Sequence, residues 1–162
     1  MGGPPVDARH AVGRRPPVSP ELVEWVQAYG AAGLALAAFV GATLVPVSSE
    51  AAFVAAVAAG LAPATALAWA SVGNTAGCLV NYALGRVARD RVGGRLAASR
   101  PGRAALGWTE RWGTPALLLS WLPVVGDPLT VAAGVGRVPL GWFVPLVAGL
   151  RVARYAALLW LV

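Results

Sequence analysis

Five stretches of this chain carry no charge at all: residues 25–49, 51–85, 112–126, 128–136 and 138–150. The longest, from Ala51 to Gly85, would measure about 52 Å as a single helix, against a hydrocarbon core of roughly 30 Å. The chain must therefore turn inside it. Pro63, after Gly60-Leu61-Ala62, is the expected place, because proline removes a helical donor and disfavours helix in the residue before it. Pro46 and Pro123 break other apolar runs in the same way. Hydrophobic residues make up 57% of the chain and charged residues only 12%, about half the roughly 25% of a soluble domain. The expected fold class is an all-α integral membrane protein, which excludes a soluble enzyme.

The net charge of +6 comes from thirteen arginines and no lysine, and seven of the arginines fall between Arg86 and Arg111. A nucleic-acid reader needs such charge on a folded polar face with stacking aromatics. Here it reads instead as an Arg-rich loop, 86–111, that is cytoplasmic by the positive-inside tendency and able to rest on anionic headgroups. No nucleic-acid partner is expected. Cys78 is the only cysteine and His10 the only histidine, so no intrachain disulfide and no Cys/His zinc set can form, and no metal or cofactor is expected.

Residues 1–20, rich in proline, glycine and arginine, cannot bury a core and are expected to be a disordered tail, with residues 21–162 as one membrane domain. Ser19 fits an N-cap, Pro20 a first helical position, and Glu21 and Glu24 a first turn. The two glutamates weigh against a cleaved signal peptide built from Arg14, Arg15 and residues 31–40. The seven tryptophans suit rings near the headgroups. Gly73 and Gly77 form a GxxxG spacing that serves close packing within the chain or a homo-oligomer equally well.

The chain resembles itself. Thr43-Leu-Val-Pro46-Val-Ser-Ser-Glu50 aligns with Ser120-Trp-Leu-Pro123-Val-Val-Gly-Asp127 without a gap, at an offset of 77. An offset of 76 pairs Gly60 with Gly136, Pro63 with Pro139 and Gly73 with Gly149. This order points to two repeated units, about 30–85 and 113–162, joined by the arginine loop. Each unit is expected to hold a proline-broken, re-entrant helix followed by a transmembrane helix. Unpaired backbone groups at such a break need protein or a watery cavity, so the two breaks should meet at one site. One re-entrant hairpin and one crossing per unit gives inverted halves, whereas two crossings each gives parallel ones. Arg9, Arg14 and Arg15, drawn to the same side as the arginine loop, fit the parallel arrangement better.

Glu50, Asp127, Arg151 and Arg154 lie deep in apolar sequence, and Arg137 lies near a boundary. Each charge near the bilayer centre costs at least roughly 2.5 kcal/mol, so the four should pair or face water. Arg151 and Arg154, three residues apart, share a helix face and can meet both carboxylates. They form either an ion-pair lock or a polar site for an anionic headgroup, with the arginines on phosphate and a carboxylate carrying a proton. Ser48, Ser49, Asn74, Asn81 and Thr130 are further candidates for hydrogen bonds there.

The segments TLVPVSSE (43–50), GNTAGCLVNYALGR (73–86) and SWLPVVGDPLTVAAG (120–134), with the closing Arg154-Tyr155, resemble the YqaA-like branch of the DedA superfamily, which includes the VTT or SNARE-associated domain proteins. The resemblance covers about residues 28–158. It implies an integral membrane fold with two opposed re-entrant hairpins, and membrane lipids as partners. Members are linked to flipping of polyprenyl-phosphate carriers and to phospholipid scrambling. The better-known transporters carry Pro-Gly-Asp in the first half and two arginines flanking the second proline motif. Here Pro46-Val-Ser-Ser-Glu50 replaces the first motif, and Ser120 and Gly126 stand at the arginine positions. The expected function is a small multi-pass cell-membrane transporter, flippase or scramblase of a lipid-like or anionic substrate. A membrane scaffold and an intramembrane enzyme are the rivals, the latter opposed by the lack of an HExxH or G-x-S-x-G motif.

Overall fold

Proline and glycine punctuate the chain into helices. In the computed structural model, which describes residues 20–43, 48–122 and 124–160, every regular element is helical. Helix α1 (Pro20–Thr43) is kinked where Gly30 takes φ 55°. Helix α2 (Ser49–Ala58) starts with Ser48 as its cap, whose side chain accepts from the Ala51 amide. Pro63 then opens α3 (Pro63–Val87). Helices α4 (Arg89–Ala98) and α5 (Arg100–Trp112) follow, then a 3₁₀ helix (Thr114–Trp121), α6 (Gly126–Val135) and α7 (Leu140–Leu159).

Helices α3 and α7 form an antiparallel pair through the middle of the molecule. Tyr82 near the end of α3 packs on Phe143 near the start of α7, with ring centroids 4.6 Å apart, and its hydroxyl donates to the Val138 carbonyl at 2.6 Å. Further along, Asn74 meets Tyr155, and Ala66 and Ala70 share a buried cluster with Tyr155. At 25 residues α3 reaches about 37 Å, enough to span a bilayer core.

Two short hairpins flank this pair. Leu34 and Ala38, before the first break, share a core with Ala52, Phe53 and Ala56 after it, so α2 folds back along α1. Ala116 likewise packs with Leu129 and Ala132, folding α6 back on the 3₁₀ helix. The first hairpin opens where α3 begins, and the second opens where α3 ends and α7 begins. Ser48, Ser49 and Glu50 of the first hairpin and Leu122, Val124 and Asp127 of the second line one cavity between them. Among the described residues the open ends of the two hairpins therefore lie at opposite ends of α3.

Among the described residues one helix, Leu140–Leu159, is long and apolar enough to cross a membrane. Only 22% of its apolar window is buried within the chain, whereas a soluble core helix would be mostly buried. Leu36, Trp69, Val72, Leu118, Trp121 and Trp142 are also exposed. Such large apolar side chains turned outward on several helices suit lipid as the solvent.

Several expectations need correction. The segment 86–111 is not a loop: it folds into α4 and α5. Ser99 caps α5 by accepting from the Gly102 amide at 3.1 Å, and Gly102, Ala105 and Thr109 form its buried face. Arg100, Arg103 and Arg111 occupy the exposed face, so the amphipathic α5 carries its charge on the side away from the core. The offset of 76 does not match the elements either. Helices α2 and α6 both span ten residues, and their starts, like those of α3 and α7, are 77 apart. Pro63 is inside α3 while Pro139 precedes α7. A Cβ on Gly73 would overlap the Ala35 carbonyl, whereas one on Gly149 would meet nothing within 4 Å. Gly73 and Gly77 both pack against α1, so this GxxxG pair serves packing within the chain. Ser19, Pro46 and Pro123 lie outside the described residues.

Candidate functional site

The two bends and the middle of α7 enclose a cavity of about 410 Å³. The first bend contributes Ser48, Ser49 and Glu50, the second Leu122, Val124 and Asp127, α3 contributes Asn74, and α7 contributes Arg151 and Arg154. Gly41 of α1 completes the wall.

Local structure places each carboxylate. Glu50 and Asp127 each fall in the first turn of a ten-residue helix, where the free amides and the helix dipole favour negative charge. The Ser48 hydroxyl donates to Glu50 at 2.9 Å and so holds the carboxylate beside the bend. Val124 takes φ 70°, a costly conformation for a β-branched residue, of about 1–3 kcal/mol, and of the kind found at functional bends.

The arginines cross-link these ends. Arg154 is in ion-pair contact with Glu50, and Arg151 pairs with Asp127 at 3.0 Å. The Arg151 side chain is 3% exposed and that of Asp127 is 46% exposed, so the buried guanidinium meets a carboxylate that faces the opening. The same guanidinium donates to the Cys78 sulfur at 3.2 Å, and its Nε has no partner. An unused donor on a buried cation can receive a further acceptor, such as a phosphate oxygen.

The candidate residues separate into two groups. Ser48, Ser49, Glu50, Asn74, Asp127, Arg151 and Arg154 come together around the cavity. Asn81 and Thr130 do not line it. Asn81 donates to the Ala42 carbonyl at 2.8 Å and to the Thr130 hydroxyl at 3.2 Å, satisfying an orphan carbonyl in the last turn of α1 while joining three helices. Asn74 has a similar double duty, donating to the Ala38 carbonyl at 3.4 Å and to the Tyr155 hydroxyl at 3.2 Å. Tyr155 and Cys78 were not singled out as site residues by the sequence. The signal for Tyr155 was its place four residues after Arg151, on the same helical face; Cys78 stands four after Asn74 in the same way.

Beside the polar cavity lies an apolar groove of about 250 Å³, formed by Leu118 and Trp121 of the 3₁₀ helix and by Leu150, Ala153, Arg154 and Ala157 of α7. Arg154 lines both. Among the described residues no group of histidine, cysteine and carboxylate side chains could hold a metal ion.

Helices with apolar outer sides around a charged interior define an integral membrane protein. The model of the VTT domain matches residues 45–150, and the chain belongs to that family, the DedA family. It is similar to inner membrane protein YqaA of Escherichia coli (strain K12), with 40% identity over 123 residues, 74% of this chain and 83% of that one. The inner membrane protein YqaA of Shigella flexneri is similar to the same extent. No solved structure matches the chain. The matched region includes Glu50 and Asp127 and stops one residue before Arg151.

Proposed function

We propose that this chain moves an anionic, lipid-like solute across the membrane through the site between its two bends. The observation that carries this reading is the double position of Arg154, which lines both the polar cavity and the apolar groove beside it. An amphiphile needs such a junction: its headgroup requires a cation, and its chain requires a surface as apolar as lipid. The two carboxylates and two arginines of the site balance in charge. Protonation of Glu50 or Asp127 frees a guanidinium for a phosphate, and phosphate binding favours that protonation in return.

In this reading the two hairpins are re-entrant, entering from opposite faces, and α3 and α7 are the crossings. Helices α2 and α6, ten residues each, are about 15 Å long, half the hydrocarbon core. The equal lengths and the shared offset of 77 support an ancient duplication, with residues 21–162 acting as one domain. The arginine-bearing helices α4 and α5 lie on the cytoplasmic side of the cell membrane.

The test is exchange of a fluorescent polyprenyl phosphate or phospholipid in liposomes, comparing wild type with Glu50→Gln and Asp127→Asn at matched insertion. Wild type should accelerate exchange and both variants should lose most of that acceleration. No acceleration by wild type at any lipid composition or pH gradient defeats the proposal. The two ion pairs joining α7 to α2 and α6 favour a second reading, a structural lock. It predicts that the same variants lower folded abundance, which size exclusion in detergent measures directly. Conversion of a lipid by pure protein would instead point to an enzyme.

A further inference from the structure

We infer that a second, separate site, at the corner where α3 ends and α7 begins, binds the phosphate headgroup of an anionic phospholipid. It does not depend on the reading of the central cavity. A recess of about 660 Å³ there is lined by Arg86, Arg89, Arg91 and Arg137, with Asp90 the single carboxylate in its wall. Among the described residues Arg89, Arg91 and Arg137 make no ion pair or hydrogen bond through their side chains. Four guanidinium groups around one recess repel one another unless an anion joins them.

The corner is built rather than merely charged. The Arg86 guanidinium donates to the Tyr82 hydroxyl at 2.9 Å, and that hydroxyl donates to the carbonyl of Val138, the neighbour of Arg137. Tyr82 thus fixes Arg86 of α3 beside the turn that presents Arg137. That turn is a Schellman closure: the Arg137 amide donates to the Gly134 carbonyl at 3.1 Å and the Val138 amide to the Ala133 carbonyl at 3.0 Å. Its left-handed residue is Arg137 itself, at φ 55°. After α2 the same closure forms, with Gly60 at φ 96° in the left-handed position. Glycine takes that conformation without strain and arginine does not. Arginine at 137 therefore costs backbone energy that glycine would avoid, and what it adds is a guanidinium in this recess.

The surroundings select a lipid over a soluble anion. Val87 on one rim is 86% exposed, and Trp142, in the first turn of α7, is 63% exposed. An apolar span begins at Leu140, so the recess lies level with the headgroups, where an exposed tryptophan is at home. A phosphodiester held by the arginines would leave its acyl chains along these apolar side chains.

The experiment is native mass spectrometry of the full chain from nanodiscs of phosphatidylcholine with phosphatidylglycerol, counting retained phosphatidylglycerol. Wild type should retain it. The triple variant R89Q/R91Q/R137Q should retain about tenfold less, as expected for lost charge-assisted contacts. The charge-matched triple variant R95Q/R100Q/R111Q, altered outside the recess, should stay close to wild type. Arg137→Gly should weaken retention several-fold with a melting temperature no lower than that of wild type, which separates binding from folding. Equal losses in the two triple variants would show only general attraction to a basic surface, and full retention by Arg137→Gly would remove the strained arginine from the site. Displacement by inorganic phosphate at constant ionic strength would make the ligand a soluble anion. Each of these three results overturns the inference.

Discussion

Arg151 carries the sharpest consequence at the scale of single residues. It is nearly fully buried and spends donors on Asp127 and Cys78, so removing it leaves a carboxylate and a thiol without their cation. Arg151→Met should cost roughly 1–3 kcal/mol of stability, because it removes the charge-assisted hydrogen bonds of a buried guanidinium, while Asp127 keeps its access to the opening. Adding Asp127→Asn should return part of that loss, and thermal unfolding of the four members of this cycle in detergent measures the coupling. If the double variant is as unstable as the sum of the singles, the pair has no structural role. That these four charges need partners was legible in the sequence, since charge in apolar surroundings is costly wherever it occurs. Which arginine meets which carboxylate was not. The pairs are separated by 24 and 104 residues along the chain, and no local pattern encodes such a choice.

At the scale of elements, close approach of α1 and α3 depends on missing side chains. Gly73 touches the Ala35 backbone and Gly77 touches Phe39 and Ala42, so Gly73→Ala should push the helices apart and cost about 1–3 kcal/mol. Gly149→Ala on α7 has open space and should be neutral or add up to about 1 kcal/mol through helix propensity. Melting temperatures of the two variants test this pair of expectations, and similar losses in both would contradict the close packing of α1 on α3. The sequence paired these two glycines at an offset of 76. Gly60, matched with Gly136 at the same offset, corresponds in turn geometry to Arg137, because both occupy the left-handed position that closes a ten-residue helix. Composition reveals that glycine is present, whereas only the helix ends reveal which position needs it. The start of α5 has a local signal in the sequence: Ser99 followed by Pro101 is a capping pattern, and buried positions 102, 105 and 109 carry the helical period. The density of arginines obscured both.

For the whole molecule, the testable property is the opposed direction of the two hairpins. In a background with Cys78→Ser, single cysteines at Ala62 and Pro139 sit on the exposed turns that follow α2 and α6. In sealed vesicles a membrane-impermeant maleimide should label them from opposite sides, with a cysteine at Ser99 following Pro139. Labelling of Ala62 and Pro139 from the same side would contradict the inverted arrangement. The basic residues of the tail, residues outside the described part of the chain, pulled the sequence argument toward parallel halves. Among the described residues α2 returns along α1 and α6 along the 3₁₀ helix at opposite ends of α3, and the labelling pattern decides between the two arrangements.

The sequence by itself determined the solvent of this protein, its helical class, the break before Pro63 and the need of its interior charges for partners. Each of these follows from local quantities: apolar length against bilayer thickness, the missing donor of proline, and the cost of an isolated charge in lipid. Tertiary structure alone decided that Asn74 faces the cavity while Asn81 staples helices, and that Arg86 and Arg137 share a corner. These are contacts between residues far apart in the chain, fixed by how helices pack, and a one-dimensional pattern holds no distance between them.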